Sequence, residues 1–110
     1  MKRDEILNMP AGREMDALIE HHVFGRTLCA QNEASYIRRW NGYEDLRRHK
    51  TYSTKMGEAW EVVRKFPDVH MEHSEKNDFA MIGDNFDTAV TCETMPLAIC
   101  RAALLAMVTA

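Results

Sequence analysis

Several absences narrow the reading of this 110-residue chain before any motif is considered. Three cysteines, Cys29, Cys92 and Cys100, are an odd number at spacings that suggest no disulfide framework, and no Cys-x-x-Cys pair is present. Cys100 sits in an apolar run and Cys92 in a strand-like one, where a thiol behaves as a small hydrophobe. Only five glycines occur, and none forms a phosphate-binding loop. The longest apolar stretch, residues 102–108, falls short of the ~20 residues needed to cross a bilayer, even with residues 97–100 added. No apolar signal core follows the polar start Met1-Lys2-Arg3-Asp4-Glu5, so the expected location is the cytoplasm of a bacterial host. A net charge of −3 argues against general nucleic-acid binding.

That charge is unevenly spread. Residues 26–55 hold seven basic and three acidic side chains, whereas residues 1–25 hold three and five, and residues 56–110 hold four and nine. A +4 segment thus lies inside an acidic protein. An apolar fraction of 45% and a charged fraction of 28% are ordinary for a globular chain of one domain, 1–110.

Periodicity supplies the elements. Met15, Leu18, Ile19 and His22 or Val23 follow helical spacing over residues 12–24, with Gly25 as a stop and a single turn expected at residues 4–8. Residues 26–51 read as an irregular aromatic and basic arm, with a short helix expected over residues 33–40. The clearest amphipathic helix follows: Met56, Ala59, Trp60, Val63 and Phe66 share a face, Ser53 or Thr54 is the expected N-cap, and Pro67 ends it. Trp60 is expected in the core. Residues 69–73, 79–82 and 88–92 read as three strands joined by short polar links, hence an antiparallel meander. The last helix, opened by Thr94 and Pro96, carries only Arg101 as a charge between Leu97 and Val108. Its apolarity predicts burial on several sides or a face shared in a homodimer, and Arg101 needs a partner, expected to be an acidic residue of the sheet. The pattern predicts an α/β (α+β) fold, a small antiparallel meander sheet packed with helices.

Three stretches together resemble one family: Pro10-Ala11-Gly12 with Met15-Asp16-Ala17-Leu18 and Gly25; Tyr52-Ser53-Thr54 with Ala59-Trp60-Glu61-Val62-Val63; and Pro96 through Leu105. In this order they resemble the phage ABA-sandwich family of small phage and prophage proteins, which implies a layered α/β/α sandwich and a phage origin. Two departures stand out. Lys55 occupies a position commonly Asp in that family, and Arg26 one that is often aromatic.

No catalytic constellation is evident. Ser53 lacks a Gly-x-Ser-x-Gly context, Asp84 and Asp87 flank a turn, His70 and His73 lie on opposite strand faces, and His21 and His22 diverge on a helix. Catalytic, metal and cofactor sites are therefore all expected to be absent. Arg38, Arg39 and Trp40, together with Tyr52, Ser53 and Thr54 at a helix start, combine phosphate-gripping charge, a stackable ring and N–H donors. They predict a site for a small anionic nucleotide in a non-enzymatic accessory protein, such as one that sequesters a host-defence signal. The alternative is an interaction module that docks on a host or phage protein through the arm and the last helix.

Overall fold

The last helix organises the molecule. The computed structural model describes residues 1–29, 35–40 and 42–108, and the side chains of Arg38, Arg39, Trp40 and Asp45 lie outside that description. Its helices are α1 (Arg3–Asn8), α2 (Arg13–His22), α3 (Met56–Val63) and α4 (Met95–Val108). Nine of the fourteen α4 residues are buried, because α4 packs on α1, α2 and α3 on one side and on two strands on the other. The uniform apolarity that suggested a shared subunit face is thus covered within the chain. Among the described residues no helix is long and apolar enough to cross a membrane.

The meander is present as expected. Strands β4 (Val69–His73), β5 (Asp78–Ile82) and β6 (Val90–Cys92) form one antiparallel sheet in that order, with Val69 opposite Ile82 and Asp78 opposite Cys92. A 3-10 turn at Phe86–Thr88 delays the third strand by two residues. Strand β5 is central, with Asp78, Ala80 and Met81 buried, β4 and β6 on either side, and α4 packed on the strand.

The basic arm differs from its expected irregular and partly helical form. Strands β1 (Thr27–Leu28), β2 (Ser35–Trp40) and β3 (Tyr43–Arg48) make a second antiparallel sheet, so the described residues form an α+β fold of four helices and two small sheets. Trp40 pairs with Tyr43 across Asn41-Gly42, and the register continues regularly to Ser35 opposite Arg48. The dipeptide is a strong hairpin signal, and Gly42 adopts φ 80°, a left-handed conformation suited to glycine. Aromatic residues and Ile37 set among adjacent arginines suit a strand as well as a helix, and the turn decides between them.

Two smaller corrections concern α3. Its N-cap is Lys55, with no side-chain capping bond, because Ser53 is engaged elsewhere. The buried face is set by Ala59 and Val62, which leaves Trp60 44% exposed rather than in the core. Arg101 also meets a different partner from the acidic one expected: its Nε and Nη2 donate to the carbonyl of Met9 at 3.3 and 2.8 Å, and Nη1 lies 3.2 Å from Cys92 Sγ.

Candidate functional site

Helix α2 carries two carboxylates one turn apart on its buried side, Asp16 at 4% exposure and Glu20 at 0%. Buried carboxylates need donors, and the dipeptide Tyr52-Ser53 supplies them. Ser53 donates its backbone N–H at 2.9 Å and its hydroxyl at 2.6 Å to Oδ1 of Asp16, while its Oγ accepts the Gly12 N–H at 2.9 Å. Tyr52 donates its hydroxyl to Glu20 at 2.6 Å, and Arg26 reaches the other Glu20 oxygen at 2.5 Å. The Tyr52 ring stacks on Phe24 at 5.2 Å, and the Arg26 guanidinium lies over the Phe24 and Tyr36 rings at 5.1 and 4.8 Å.

These contacts set the local electrostatics. Burial raises the Asp16 carboxyl above the ordinary carboxylate range; the Ser53 hydrogen bonds oppose the shift, Glu58 adds to it and His49 reduces it. The Tyr52 phenol is held well above its usual value by burial and by its bond to Glu20.

Beside this junction lies a cleft of about 410 Å³ between the first turn of α2 (Gly12, Arg13, Asp16) and the chain leading into α3 (Arg48, His49, Thr51, Thr54). Its lining carries two guanidinium groups, an imidazole and two hydroxyl residues against one carboxyl that is already bonded to Ser53. The N-cap of α2 is Gly12 with no side-chain capping bond, so the cleft also meets a helix N-terminus whose first-turn N–H groups favour negative charge. A larger cavity of about 720 Å³ runs along α2 past Arg13, Glu14, Ala17, Leu18, Leu28 and Cys29. There one arginine is offset by Glu14, and the charge favours no ligand class.

The six residues expected at the site divide three ways. Thr54 is exposed and lines the cleft. Tyr52 and Ser53 sit beneath it, 1% and 0% exposed, with their hydroxyls committed to Glu20 and Asp16. Arg38, Arg39 and Trp40 have their backbone in β2, and their side chains lie outside the described residues. The start of α3 is not open to an anion in the expected way. The N–H groups of Thr54 and Lys55 bond the Thr51 carbonyl, and the Glu58 carboxylate accepts from Thr51 N–H and Oγ1. Arg13, Arg48 and His49 are additions. Their sequence signal was a helix opening at Gly12-Arg13 with no capping side chain, and two acids spaced by four within the apolar stripe of Met15 and Ile19.

Ser53 is 0% exposed and its hydroxyl is committed to Asp16, so it does not open onto the cleft as a nucleophile must. Among the described residues no three His, Cys, Asp or Glu side chains gather as a metal centre would require.

A family model described as the phage ABA sandwich domain matches residues 17–104. The crystal structure of a phage protein from Bacillus cereus ATCC 14579 superposes with a TM-score of 0.71 at 25% identity, covering 89% of this chain and 93% of that one. No curated protein matches the chain.

Proposed function

The chain belongs to the phage ABA sandwich domain family, and on that premise we propose that it is a non-enzymatic binding module that captures a small anionic molecule of the nucleotide class in the cleft at the start of α2. One observation carries this reading: Arg13, Arg48 and His49 converge with Thr51 and Thr54 on an uncapped helix N-terminus. Guanidinium groups grip phosphate oxygens in pairs of parallel hydrogen bonds, and the helix end adds N–H donors at no further desolvation cost to a side chain. The cleft, at about 410 Å³, is within the range of small-ligand sites. Sequestration of a nucleotide signal used in host defence needs affinity alone, and the cationic lining of the cleft is suited to that.

Calorimetric titration with inorganic phosphate, linear and cyclic nucleotides, and the matching nucleosides tests the reading. Saturable binding that requires the phosphate supports it. Heat from none of them, or from nucleosides equally, removes it. A second reading, docking on another protein, draws on the hairpin, where Tyr43 and Leu46 are 67% and 57% exposed. The C-terminal helix drops out of that reading because it is buried.

A further inference from the structure

We propose that Asp16 reads a sugar hydroxyl in the cleft, so that the site selects ribonucleotides over bare phosphate and over nucleotides whose sugar lacks hydroxyls. This inference rests on the anion reading above and narrows its ligand class. Asp16 is 4% exposed, and both donors of Ser53, its N–H and its hydroxyl, go to the same oxygen, Oδ1. Among the described residues Oδ2 accepts no hydrogen bond, although a carboxylate has acceptor sites on both oxygens. A buried acceptor left unmet costs free energy unless water or a ligand reaches it. Asp16 lines the cleft and Oδ2 is not sealed from solvent, so the cleft is where that oxygen meets a donor. The two bonds from Ser53 also fix the plane of the carboxyl and so the direction in which Oδ2 accepts.

The surroundings of Oδ2 decide which donor suits it. Arg13 and Arg48 line the same cleft and are exposed, whereas Asp16 is buried, so positive charge stands at the mouth and the carboxyl at the floor. Neither guanidinium has a carboxylate partner among the described residues. A bare phosphate gains from the two arginines and is repelled by Asp16. A ligand with a neutral donor a few bonds from its phosphate turns the same carboxylate into a contact. Ribonucleotides carry such donors whatever their base, because the hydroxyls sit on the sugar that bears the phosphate. A guanine edge offers two adjacent N–H donors and suits a carboxylate with both oxygens open, but Oδ1 already holds two donors. One open oxygen suits one hydroxyl. The cleft, at about 410 Å³, leaves room for a sugar beyond the phosphate.

The test is calorimetry at pH 8 on the full chain, as parent and as Asp16→Asn, which keeps the acceptor for Ser53. The probes are inorganic phosphate, the ribonucleoside 5′-monophosphates of each base and their 2′,3′-dideoxy counterparts. The parent should bind each ribonucleotide about tenfold or more tighter than its dideoxy counterpart, whatever the base. Asp16→Asn should lower that ratio by about threefold or more, because a neutral hydrogen bond replaces a charge-assisted one. It should also bind inorganic phosphate more tightly than the parent, because the repelling charge is gone. A residue that only held the fold together would move every affinity in one direction. Equal binding of ribo and dideoxy forms by the parent overturns the inference and leaves the anion reading standing, as does a preference that follows the base. A variant that keeps the parent's ratio overturns it as well. Binding of none of the probes removes the anion reading and this inference with it.

Discussion

A single oxygen of Asp16 receives both the backbone N–H and the hydroxyl of Ser53, at 2.9 and 2.6 Å, across 37 positions of sequence. With the parallel bond from Tyr52 to Glu20, this fastens the turn before α3 to the buried side of α2 and fixes the wall of the cleft. The Tyr-Ser-Thr stretch that marks the family in sequence is thus partly a structural clasp.

The clasp predicts an asymmetry between two substitutions. Asp16→Asn keeps an Oδ1 acceptor for both Ser53 donors and should cost less than about 1 kcal/mol. Asp16→Ala strands a buried N–H and a buried hydroxyl and should cost about 2–4 kcal/mol. The pH dependence follows from the raised carboxyl: the native state holds the proton more tightly than the unfolded chain. Stability from this group is therefore present at low pH and lost as pH rises from the ordinary carboxylate range through the native value. Urea unfolding of parent and Asp16→Asn between pH 3.5 and 7 should show the parent losing ground to the variant as pH rises. The opposite trend would mean a depressed pKa.

Arg13 lines the cleft from the first position of α2. Arg13→Ala should weaken nucleotide binding by about 1.5–3 kcal/mol, the worth of a charge-assisted hydrogen bond to phosphate, and leave thermal unfolding nearly unchanged. Equal affinity in parent and variant would move the ligand away from α2.

What the sequence disclosed follows from which signals are local. The meander of β4, β5 and β6 was legible because alternation and two short polar links leave few other pairings. The β2–β3 hairpin was hidden because adjacent arginines, Arg38-Arg39 and Arg47-Arg48, blur the alternation, although Asn41-Gly42 marked the turn. Trp60 was misplaced because helical spacing alone does not fix which way α3 rolls; Ala59 lets α3 approach α4 closely, and that turns Trp60 outward. The charged part of the site was half legible. Segment charge located Arg48, but Arg13 and the buried pair Asp16 and Glu20 become meaningful only once Tyr52 and Ser53 are seen against them.

The three thiols should resist modification until the chain unfolds. Cys29, Cys92 and Cys100 are 8%, 3% and 0% exposed. Burial raises the Cys92 thiol, with Arg101 opposing, and raises Cys100 far above the usual thiol range. Iodoacetamide at pH 8 should label the native protein slowly, and all three sites rapidly in urea. Fast native labelling at Cys100 would place α4 outside the core.

The ion pair of Arg26 with Glu20 predicts a reversal in which deleting more costs less. Glu20 is fully buried, with Arg26 and Tyr52 as its donors, and Arg26 is 36% exposed and roofed by Phe24 and Tyr36. Burial disfavours the guanidinium charge, but the Glu20 bond and charge outweigh it and raise the Arg26 pKa. Arg26→Met would leave a carboxylate in the interior with one phenol donor, and breaking a buried pair in this way costs about 3–5 kcal/mol. Replacing the whole cluster, as Arg26→Met with Glu20→Met and Tyr52→Phe, removes the buried carboxyl and its orphaned donor together. That triple variant should be more stable than Arg26→Met alone. Urea unfolding of both at pH 7 decides the matter. A triple variant less stable than the single one would show that the cluster acts as packed volume, with the charge on Glu20 of little consequence.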